Sequence, residues 1–512
     1  MNLNRWAAAS TAALLLTLAA CAGALDEQAA HAAPPSSASG AWPPVWQHAP
    51  EPAPGDFTAP AFERPSAAHC HRPPGTREVP GGGNEQAPSA WRSRRGEPED
   101  MARELRSEAR PMAKSAPAGS ALADASRAAT LSPPGVAPRS AAMDERAIAP
   151  SPWPQPQHAP QRPAQETVTA GMQDDNADFG EYLAYRQRHT GLAVRERDIS
   201  ERYLLEVSDS NGRPVHDAEV AVQRPGIAQP VMWARTDTAG RVWLHPRAFM
   251  AAGANDERVL GVAVRKGAMQ ARATLLRGQA QAVQVQLGAQ ALAQRPRLDL
   301  VFLIDATGSM GDEIAKLKGS MRAVAQQISQ LPGQPDICYG LVAYRDRGDV
   351  FLTRSHDFTD DLGAFQNVLA HVQAAGGGDT PEALNEALHE TVHGLAWRSD
   401  AARMVVLVAD APPHLDYGGP QYDRDMQAAL AKGIKLFAVG ASGLDPVGEY
   451  IYRQMAQYTA GRFVFLTYKD AANPGSGPGT QTPHDVGQYS VQTLDRLIVR
   501  LVSEEMARLA HS

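Results

Sequence analysis

A short run of oxygen-bearing side chains ends an apolar stretch in the C-terminal half of this 512-residue chain. In "LVFLIDATGSM", Asp305, Thr307 and Ser309 follow five consecutive apolar residues within five positions. One carboxylate and two hydroxyls at the end of a buried strand are the hard oxygen ligands that Mg²⁺ and Ca²⁺ prefer. The first hypothesis is therefore a site for a divalent cation at the end of this strand.

Two other segments place similar side chains after apolar or glycine-rich stretches. Asp410 directly follows the apolar run of "VVLVADAPPH", and Asp379 and Thr380 lie in the loop "GGGDTPEAL". Ligands of a doubly wound sheet bind at the carboxyl ends of its strands. We therefore expect three segments that are distant in sequence to deliver their oxygens to one rim of a sheet.

Helix capping is the alternative explanation of these side chains. Ser309 and Thr380 each precede an acidic residue in what would be the first turn of a helix, as capping residues do. Capping accounts for each segment alone. It does not account for the position of Asp305 and Asp410, which both terminate apolar strands, so the cation site is the favoured hypothesis.

The elements that would position these residues are visible as two periodicities after Pro296. Five apolar segments alternate with segments of helical spacing, and they read "LDLVFLI", "DICYGLVAY", "ARMVVLVA", "IKLFAVG" and "RFVFLT". In the first helical segment a buried stripe is predicted at Ile314, Leu317, Met321, Val324 and Ile328. Strands that are apolar throughout and alternate with helices are typical of a parallel sheet covered on both faces. The sequence predicts an α/β fold with a doubly wound, mostly parallel sheet over residues 296–512.

The segments "DATGS", "GGGDTPEAL" and "VADAPPH" together resemble the metal-ion-dependent adhesion site of a von Willebrand factor type A (VWA) domain, over roughly residues 297–509. The resemblance implies a Rossmann-like sheet and a bound Mg²⁺, or Mn²⁺ or Ca²⁺ in its place. It also implies a partner protein that offers an Asp or Glu carboxylate to the open position of the cation. Catalysis is not implied.

Carried over to this chain, the family's ligand pattern is matched by Asp305, Thr307, Ser309 and Asp410. Thr307 stands in place of the first Ser of the family's Asp-x-Ser-x-Ser, and the distal Asp of the family usually acts through water. The middle ligand stays open between Asp379 and Thr380, because Gly378 stands where many members have Thr.

Two alternatives to a cation-dependent binding protein are a hydrolase and a structural envelope protein with an idle metal site. A phosphatase of the haloacid-dehalogenase type also begins from a strand-terminal Asp, but it needs a second Asp where this chain has Thr307. No Walker lysine pattern is present either. The sequence therefore predicts a binding protein that is not an enzyme.

The N-terminal segment "MNLNRWAAASTAALLLTLAACAG" predicts export to a bacterial cell envelope. It has one Arg, an apolar run too short to span a bilayer and then small residues. Leu18 to Cys21 resemble a bacterial lipobox, which implies a lipoprotein signal peptide at residues 1–20 and acylation of Cys21. Ala22 resembles the sorting pattern of the outer membrane, and the face of that membrane stays open. An ordinary signal peptide ending near Ala24 is the alternative.

Three further regions separate this predicted anchor from the α/β domain. Residues 21–170 are rich in Pro and Ala and lack apolar periodicity, which predicts a disordered tether. Residues 171–200 predict a short helical connector. Residues 201–290 alternate with turn signals and predict a small all-β sandwich, which resembles carboxypeptidase-regulatory-like, transthyretin-like and bacterial immunoglobulin-like modules.

The two cysteines that remain after Cys21 are Cys70 and Cys338. An oxidising compartment would allow them to form a disulfide. Cys70 lies in the predicted tether, however, and Cys338 lies in an apolar run where a buried free thiol is the simpler expectation. We therefore expect two free cysteines, with the disulfide as the alternative.

Other binding functions have weak support in the sequence. A formal net charge of −7 and a pI near 6.1 make nucleic acid an unexpected partner. The tripeptide Arg347-Gly348-Asp349 matches the one that many integrins recognise, but it follows a core strand and we interpret it as a chance match. His414, close after Asp410, is expected to face solvent.

Overall fold

The structure is a computed structural model. The residues it describes are residue 46 and residues 70–83, 167–249, 257–289 and 295–510. The predicted signal peptide, the predicted lipidation site Cys21 and most of the predicted tether lie outside these ranges. No helix within them is both long and apolar enough to cross a membrane.

A sheet of ten strands forms the centre of the α/β domain. Its strands are β1 (Thr76–Pro80), β2 (Thr169–Gln173), β10 (Arg297–Asp305), β11 (Asp336–Tyr344), β12 (Phe351–Thr359), β13 (Ala401–Ala409), β14 (Ile434–Gly440), β15 (Phe463–Asp470), β16 (Asn473–Pro478) and β17 (Gln492–Thr493). Across the sheet the order is β1-β12-β11-β10-β13-β14-β15-β2-β17, with β16 beside β15. The five central strands, β11, β10, β13, β14 and β15, are parallel to one another. The outer strands β12, β1, β2, β16 and β17 pair antiparallel.

Helices cover both faces of this sheet, which confirms the predicted fold class. The helices are α1 (Phe179–Arg188), α2 (Pro246–Phe249), α3 (Ile314–Ile328), α4 (Leu362–His371), α5 (Leu384–His389), α6 (Tyr422–Ala431), α7 (Pro446–Tyr458) and α8 (Leu494–Ala510). A 3₁₀ turn at Gly308–Asp312 precedes α3, and a π-helical turn at Glu390–Gly394 continues α5.

The central strands are apolar throughout because both of their faces are buried. In β10, Leu300 and Phe302 point into the core beneath α3, α4 and α8, and Val301 and Leu303 point into the core beneath α5, α6 and α7. Burying each such side chain stabilises the fold by about 1.5–3 kcal/mol. All five residues of the predicted α3 stripe are buried, as expected.

Two small sheets form the β-rich module before the α/β domain. Their strands are β3 (Tyr203–Ser208), β4 (Glu219–Gln223), β5 (Met232–Arg235), β6 (Arg241–Leu244), β7 (Val259–Lys266), β8 (Met269–Leu276) and β9 (Val283–Gln286). One sheet has the order β6-β3-β9 and the other β5-β4-β7-β8. Side chains from both sheets, such as Leu205 and Val262, belong to one apolar cluster. Each small sheet therefore buries one face, as in a two-layer module.

Part of the predicted tether belongs to the large sheet, which corrects the prediction for residues 21–170. Strand β1 pairs antiparallel with β12, with Thr76 opposite His356. Cys70 forms a disulfide with Cys338 of β11, with 6.1 Å between the two Cα atoms, so the prediction of free cysteines is wrong. Trp46 also contacts folded structure, because its ring lies 6.0 Å from that of Trp233. An edge strand is held by backbone hydrogen bonds, so β1 needs no apolar pattern.

The structure also corrects the predicted helical connector, residues 171–200, because its first residues belong to a strand. Strand β2 lies within the large sheet between β15 and β17. Gly171 of β2 is paired with Phe465 of β15. A Cβ on Gly171 would lie 2.5 Å from the Phe465 ring, so the absence of a side chain lets this aromatic ring cover the strand. The helix of the connector region, α1, begins only at Phe179.

Buried ion pairs dock the β-rich module onto the α/β domain. Asp217, in the turn before β4, accepts hydrogen bonds from Arg403 of β13 at 2.9 Å and from Arg235 at 3.0 Å. Its second oxygen accepts the backbone N–H of Asp400 at 2.9 Å. Lys435 of β14 pairs with Asp237 at 3.0 Å. The module is therefore attached to two neighbouring strands of the large sheet.

The Asp217 pair predicts a pH-dependent contribution to stability. Burial acts to raise the pKa of Asp217, but Arg403 and Arg235 outweigh it and hold this pKa well below the ordinary value of 3.8. The contribution is therefore complete above pH 3.8 and is lost progressively as the pH falls below that value. Asp217→Asn leaves Arg403 buried without its partner, and we expect the free energy of unfolding at pH 7 to fall by about 3–5 kcal/mol.

Denaturant unfolding followed by circular dichroism from pH 7 to pH 2.5 measures this effect. The difference between parent and Asp217→Asn should narrow as the pH falls below 3.8. The control is Asp400→Asn, which removes an exposed carboxylate and should change stability by about 0–1 kcal/mol. Parallel pH profiles for parent and Asp217→Asn would contradict the assignment.

Candidate metal-binding site

The candidate site lies where the strand order reverses. The chain runs outward from β10 to β11 and β12 on one side, and from β13 to β14 and β15 on the other. Strands β10 and β13 are parallel neighbours, with Ile304 opposite Val408. Asp305 ends β10 and Asp410 follows β13 by one residue, so the pairing brings both carboxylates to the crevice at the switch point.

Two hydrogen-bonded pairs, joined by a close contact between their hydroxyls, bring four of the predicted residues together. Oδ1 of Asp305 accepts the backbone N–H of Thr307 at 2.9 Å and its hydroxyl at 2.6 Å. The hydroxyls of Thr307 and Ser309 are 3.1 Å apart, and Ser309 donates to Oδ1 of Asp410 at 3.0 Å. Asp305 and Thr307 are completely buried. The turn after β10 therefore directs three oxygen-bearing side chains toward Asp410.

Glu382, the acidic residue that follows Thr380 in the possible helix cap, is a fifth residue of this cluster. Its backbone N–H donates to Pro412 at 3.0 Å and its carbonyl accepts from His414 at 3.1 Å, which ties the glycine-rich loop to the segment after β13. Its side chain is buried beside Gly377, where a Cβ would lie 2.9 Å from Glu382 Oε1. Gly377 has φ +66°, so this position needs glycine for both space and conformation.

Asp379 and Thr380 lie on the exposed part of the glycine-rich loop. Both side chains are exposed, and within the described residues neither forms a hydrogen bond to the four predicted residues that meet. The two ends of their loop are attached on either side, by the Glu382 bridge and by a 2.8 Å hydrogen bond from the Gly377 N–H to Asp349. The part of the loop between these two attachments therefore lies at the surface.

The Arg347-Gly348-Asp349 tripeptide makes contacts within the α/β domain. Asp349 accepts the backbone N–H groups of Asp346 and Gly377 at 3.0 and 2.8 Å. Arg347 pairs with Glu386 at 3.2 Å and lies over the ring of Tyr417 at 3.8 Å. The tripeptide therefore shapes the turn between β11 and β12 and supports the glycine-rich loop.

His414 does not face solvent, which corrects the prediction. It is 7% exposed, its ring stacks on Tyr417 at 3.7 Å, and its Nε2 lies 3.6 Å from Asp346. Tyr417 also donates to Asp346 at 2.8 Å. These contacts pack the segment after β13 against the turn that follows β11, because aromatic stacking and a carboxylate acceptor are both available there.

The electrostatics of the cluster are those of crowded like charges. Burial, which outweighs the Thr307 hydrogen bonds, raises the pKa of Asp305 to about 6, and burial with the Asp305 charge raises the pKa of Asp410 to about 8. Burial and the charges of Asp305, Asp346 and Asp410 raise the pKa of Glu382 to about 10. In the described part of the chain no Lys or Arg forms an ion pair with Asp305, Asp410 or Glu382. These raised pKa values mean that the cluster does not readily carry its full negative charge unless a cation compensates it.

Two oxygen atoms of the cluster have no hydrogen-bond partner among the described residues. They are Oδ2 of Asp305 and Oε2 of Glu382, and both are buried. A buried acceptor without a partner costs about 1–3 kcal/mol, and more when it is charged. These free oxygens, the adjacent hydroxyls and the unpaired carboxylates together fit a hard divalent cation.

One comparison with known proteins agrees with the fold of the α/β domain. Residues 299–473 match the model of the von Willebrand factor type A domain. This part of the chain is therefore a VWA domain, and its mostly parallel sheet with helices on both faces is the α/β fold of that class. VWA domains typically mediate interactions between proteins and commonly bind a divalent metal ion.

Three curated relatives show similarity over parts of the chain. An alpha-protein kinase, vwkA, of Dictyostelium discoideum is 28% identical over 133 residues, which are 26% of this chain and 21% of the relative. A putative ariadne-like RING finger protein of Acanthamoeba polyphaga mimivirus is 32% identical over 117 residues, 23% of this chain and 11% of the relative. The von Willebrand factor A domain-containing protein 7 of Rattus norvegicus is 38% identical over 95 residues, 18% of this chain and 10% of the relative.

The chain spans about a fifth or less of the length of these relatives, so the functions in their names belong to those proteins. Among solved structures, the conserved hypothetical protein BatB of Bacteroides thetaiotaomicron aligns with 42% of this chain and 100% of its own. Its sequence identity is 14% and its TM-score is 0.28.

Proposed function

We propose that the VWA domain holds a divalent cation at the switch point between β10 and β13 and uses it to bind a partner protein. The observation that carries the proposal is the buried, partnerless Oδ2 of Asp305 within a group of carboxylates that lack Lys or Arg partners. A cation at this position would satisfy the free oxygen and offset the repulsion between the carboxylates.

The proposed ligands come from three segments of the chain. Asp305, Thr307 and Ser309 lie on the turn after β10, and Asp410 follows β13. For the third segment we propose Glu382, because its carboxylate is the one that the glycine-rich loop buries. Asp379 and Thr380, the candidates from the sequence, lie on the exposed part of the same loop and are the alternative ligands.

The donor set favours Mg²⁺, with Mn²⁺ and Ca²⁺ as alternatives, because every candidate ligand is an oxygen. Two of the five proposed ligands, Thr307 and Ser309, are hydroxyls, which leave the cation more attraction for an outside anion than carboxylates would. Glu382 as a third carboxylate reduces that attraction. We therefore propose that the partner protein offers an Asp or Glu carboxylate to the cation. When bound, the cation would supply this electrostatic contact.

The geometry supports binding rather than hydrolysis. An acid or base would be needed two residues after Asp305, and that residue is Thr307, whose hydroxyl donates to Asp305 at 2.6 Å. A hydroxyl used in this way positions the carboxylate and does not transfer a proton to a substrate. We therefore retain a role in adhesion or assembly, with a structural protein whose metal site is idle as the second candidate.

Substitution of Asp305 tests the cation site. Asp305→Asn keeps the side-chain shape but removes the charge, and we expect Mg²⁺ or Mn²⁺ affinity in the full chain to fall at least about 100-fold, equivalent to about 2.7 kcal/mol. Isothermal titration calorimetry measures the affinity.

Glu382→Gln should weaken cation binding more than Asp379→Asn if the buried carboxylate of Glu382 is the third ligand. The reverse order would favour Asp379, the candidate from the sequence. The control Asp400→Asn should bind like the parent chain.

Unchanged calorimetric titrations for Asp305→Asn and the parent would contradict the cation site. Thermal unfolding of each variant should remain cooperative, so that a loss of binding is not a loss of fold.

Capture of a partner from envelope extract tests the binding mode. The immobilised full chain should retain a specific protein in Mg²⁺ and release it when the Mg²⁺ is chelated, because the cation would carry the contact between the two proteins. Asp305→Asn should retain little of the same protein under both conditions. Retention that is equal with Mg²⁺ and with chelator would contradict a cation-dependent contact, and binding of Mg²⁺ without any retained protein would favour the idle site.

We also propose that the protein is a lipoprotein of a bacterial cell envelope, anchored in the outer membrane through Cys21. The support is the lipobox-like Leu18 to Cys21 after a short apolar run, with Ala22 following. Several acyl chains, each contributing about 0.8 kcal/mol per buried CH₂, would hold the chain at the membrane. The Pro-rich sequence that follows would then act as a spacer between the membrane and the folded residues.

Metabolic labelling with palmitate in a bacterial host tests the anchor. The parent chain should take up the label and sediment with outer membranes, and Cys21→Ser should do neither because it lacks the acceptor thiol. Cys70→Ser is the control for removal of a cysteine: it breaks the disulfide with Cys338 but should keep the label, because the acceptor thiol is that of Cys21. Label retained by Cys21→Ser, or a soluble unlabelled parent, would exclude the lipid anchor.

A further inference from the structure

Three side chains outside the proposed cation site form a separate group of nitrogen and oxygen ligands. His389 ends α5, His393 lies in the π-helical turn that follows it, and Asp425 lies in α6. Asp425 Oδ1 is 3.1 Å from His389 Nδ1 and 3.0 Å from His393 Nε2. The three ligand atoms lie within 4.8 Å of one another. We propose that these residues form a second metal site, selective for Zn²⁺ or a similar transition metal ion.

The types of ligand favour this class of metal. Zn²⁺ binds imidazole nitrogen and carboxylate oxygen at about 2.0–2.2 Å, and ligand atoms around one tetrahedral ion are then roughly 3.3 Å apart. The two oxygen-to-nitrogen distances at Asp425 are close to this spacing. Mg²⁺ prefers a shell of oxygens only. The group therefore differs in chemistry from the oxygen cluster at the strand ends.

A second observation points to a ligand at this group. Oδ2 of Asp425 is buried and has no hydrogen-bond partner among the described residues, and the Asp425 side chain is 0% exposed. Both imidazoles contact its other oxygen, Oδ1. A metal ion bound by the two imidazoles and this carboxylate would give the free oxygen a favourable neighbour.

The local helix explains why the two histidines meet. Residues four apart lie on the same face of a helix, and here the ring centres of His389 and His393 are 4.5 Å apart. The intervening sequence makes this segment His-Glu-Thr-Val-His, which has the spacing of a zinc-binding motif of metalloproteases. In that motif the Glu acts as a general base.

Glu390 is not available as a base in this protein. Its carboxylate forms an ion pair with Arg77 of β1 and accepts a hydrogen bond from Ser355 of β12 at 2.8 Å. The side chains of His389 and His393 are only 11% and 10% exposed, which leaves little access for a peptide. The proposed site is therefore structural and not hydrolytic.

The position of the site gives it a structural consequence. Helix α5 begins two residues after Glu382, and α6 begins after the segment that follows Asp410. A metal ion bound between α5 and α6 would link the helix that follows the glycine-rich loop to the helix that follows the Asp410 segment. Both of these segments contribute residues to the oxygen cluster. This inference stands independently of the proposed cation-dependent binding, because it rests on other residues.

Zinc binding by the full, untagged chain tests the proposal. After metal removal by chelation, one Zn²⁺ per chain should bind in competition with a chromophoric chelator, and millimolar Mg²⁺ should not displace it. His393→Ala and Asp425→Asn should each weaken Zn²⁺ binding at least about 100-fold. His371→Ala, which removes an exposed histidine of α4, and Asp305→Asn should both bind Zn²⁺ like the parent.

Spectroscopy and thermal unfolding provide readouts besides affinity. Co²⁺ in place of Zn²⁺ should give visible absorption bands of a low-coordinate nitrogen and oxygen site in the parent but not in Asp425→Asn. Zn²⁺ should raise the Tm of the parent and leave the Tm of both ligand variants unchanged. A ligand variant can have a lower Tm than the parent even without metal. The Tm shifts caused by Zn²⁺ can still be compared if the metal-free variant unfolds cooperatively, because it is then folded.

Three results would overturn the proposal in whole or in part. Equal Zn²⁺ affinity in the parent and both ligand variants, or no tight Zn²⁺ in the parent, would exclude the site. Cleavage of an unstructured peptide substrate by the Zn²⁺-loaded parent, lost in Glu390→Gln, would keep the metal but exclude the structural role.

Discussion

The parallel pairing of β10 with β13 is the constraint on which the rest of the site depends. It places two carboxylates that are more than one hundred residues apart in sequence at one end of two adjacent buried strands. Like charges in a region of low dielectric repel strongly. The apolar packing on both faces of the strands holds them there, so the energy of the core maintains an arrangement that the charges alone would oppose.

The same constraint explains the form of the surrounding loops. The Glu382 bridge joins the loop after α4 to the segment after β13, and an Asp349 hydrogen bond joins that loop to the turn after β11. The contacts of His414 and Tyr417 with Asp346 join the segment after β13 to the same turn. Each contact uses up a backbone group or a ring that would otherwise be free. Together these contacts hold the three segments around the carboxylates, and the exposed part of the glycine-rich loop lies at the surface.

The folded unit is larger than the residues that match the VWA model. Strands β1 and β2 come from segments before the β-rich module, yet they pair with β12 and β15 of the large sheet. The disulfide at Cys338 and the ion pairs at Asp217 connect further distant segments to this sheet. The two proposed metal sites then differ in chemistry and place: the oxygen cluster lies at the ends of β10 and β13, and the histidine group lies between α5 with its π-helical turn and α6.

The amino-acid sequence by itself determined the fold class and most of the rim. Strands apolar on both faces require a covered parallel sheet, and parallel strands require that Asp305, Thr307, Ser309 and Asp410 meet at one edge. Only the tertiary structure decided that Glu382 turns inward and Asp379 outward, that β1 and Cys70 join the sheet, and that Asp425 meets two histidines. Those placements depend on single backbone hydrogen bonds and contacts between distant segments, which leave no periodic pattern in the chain.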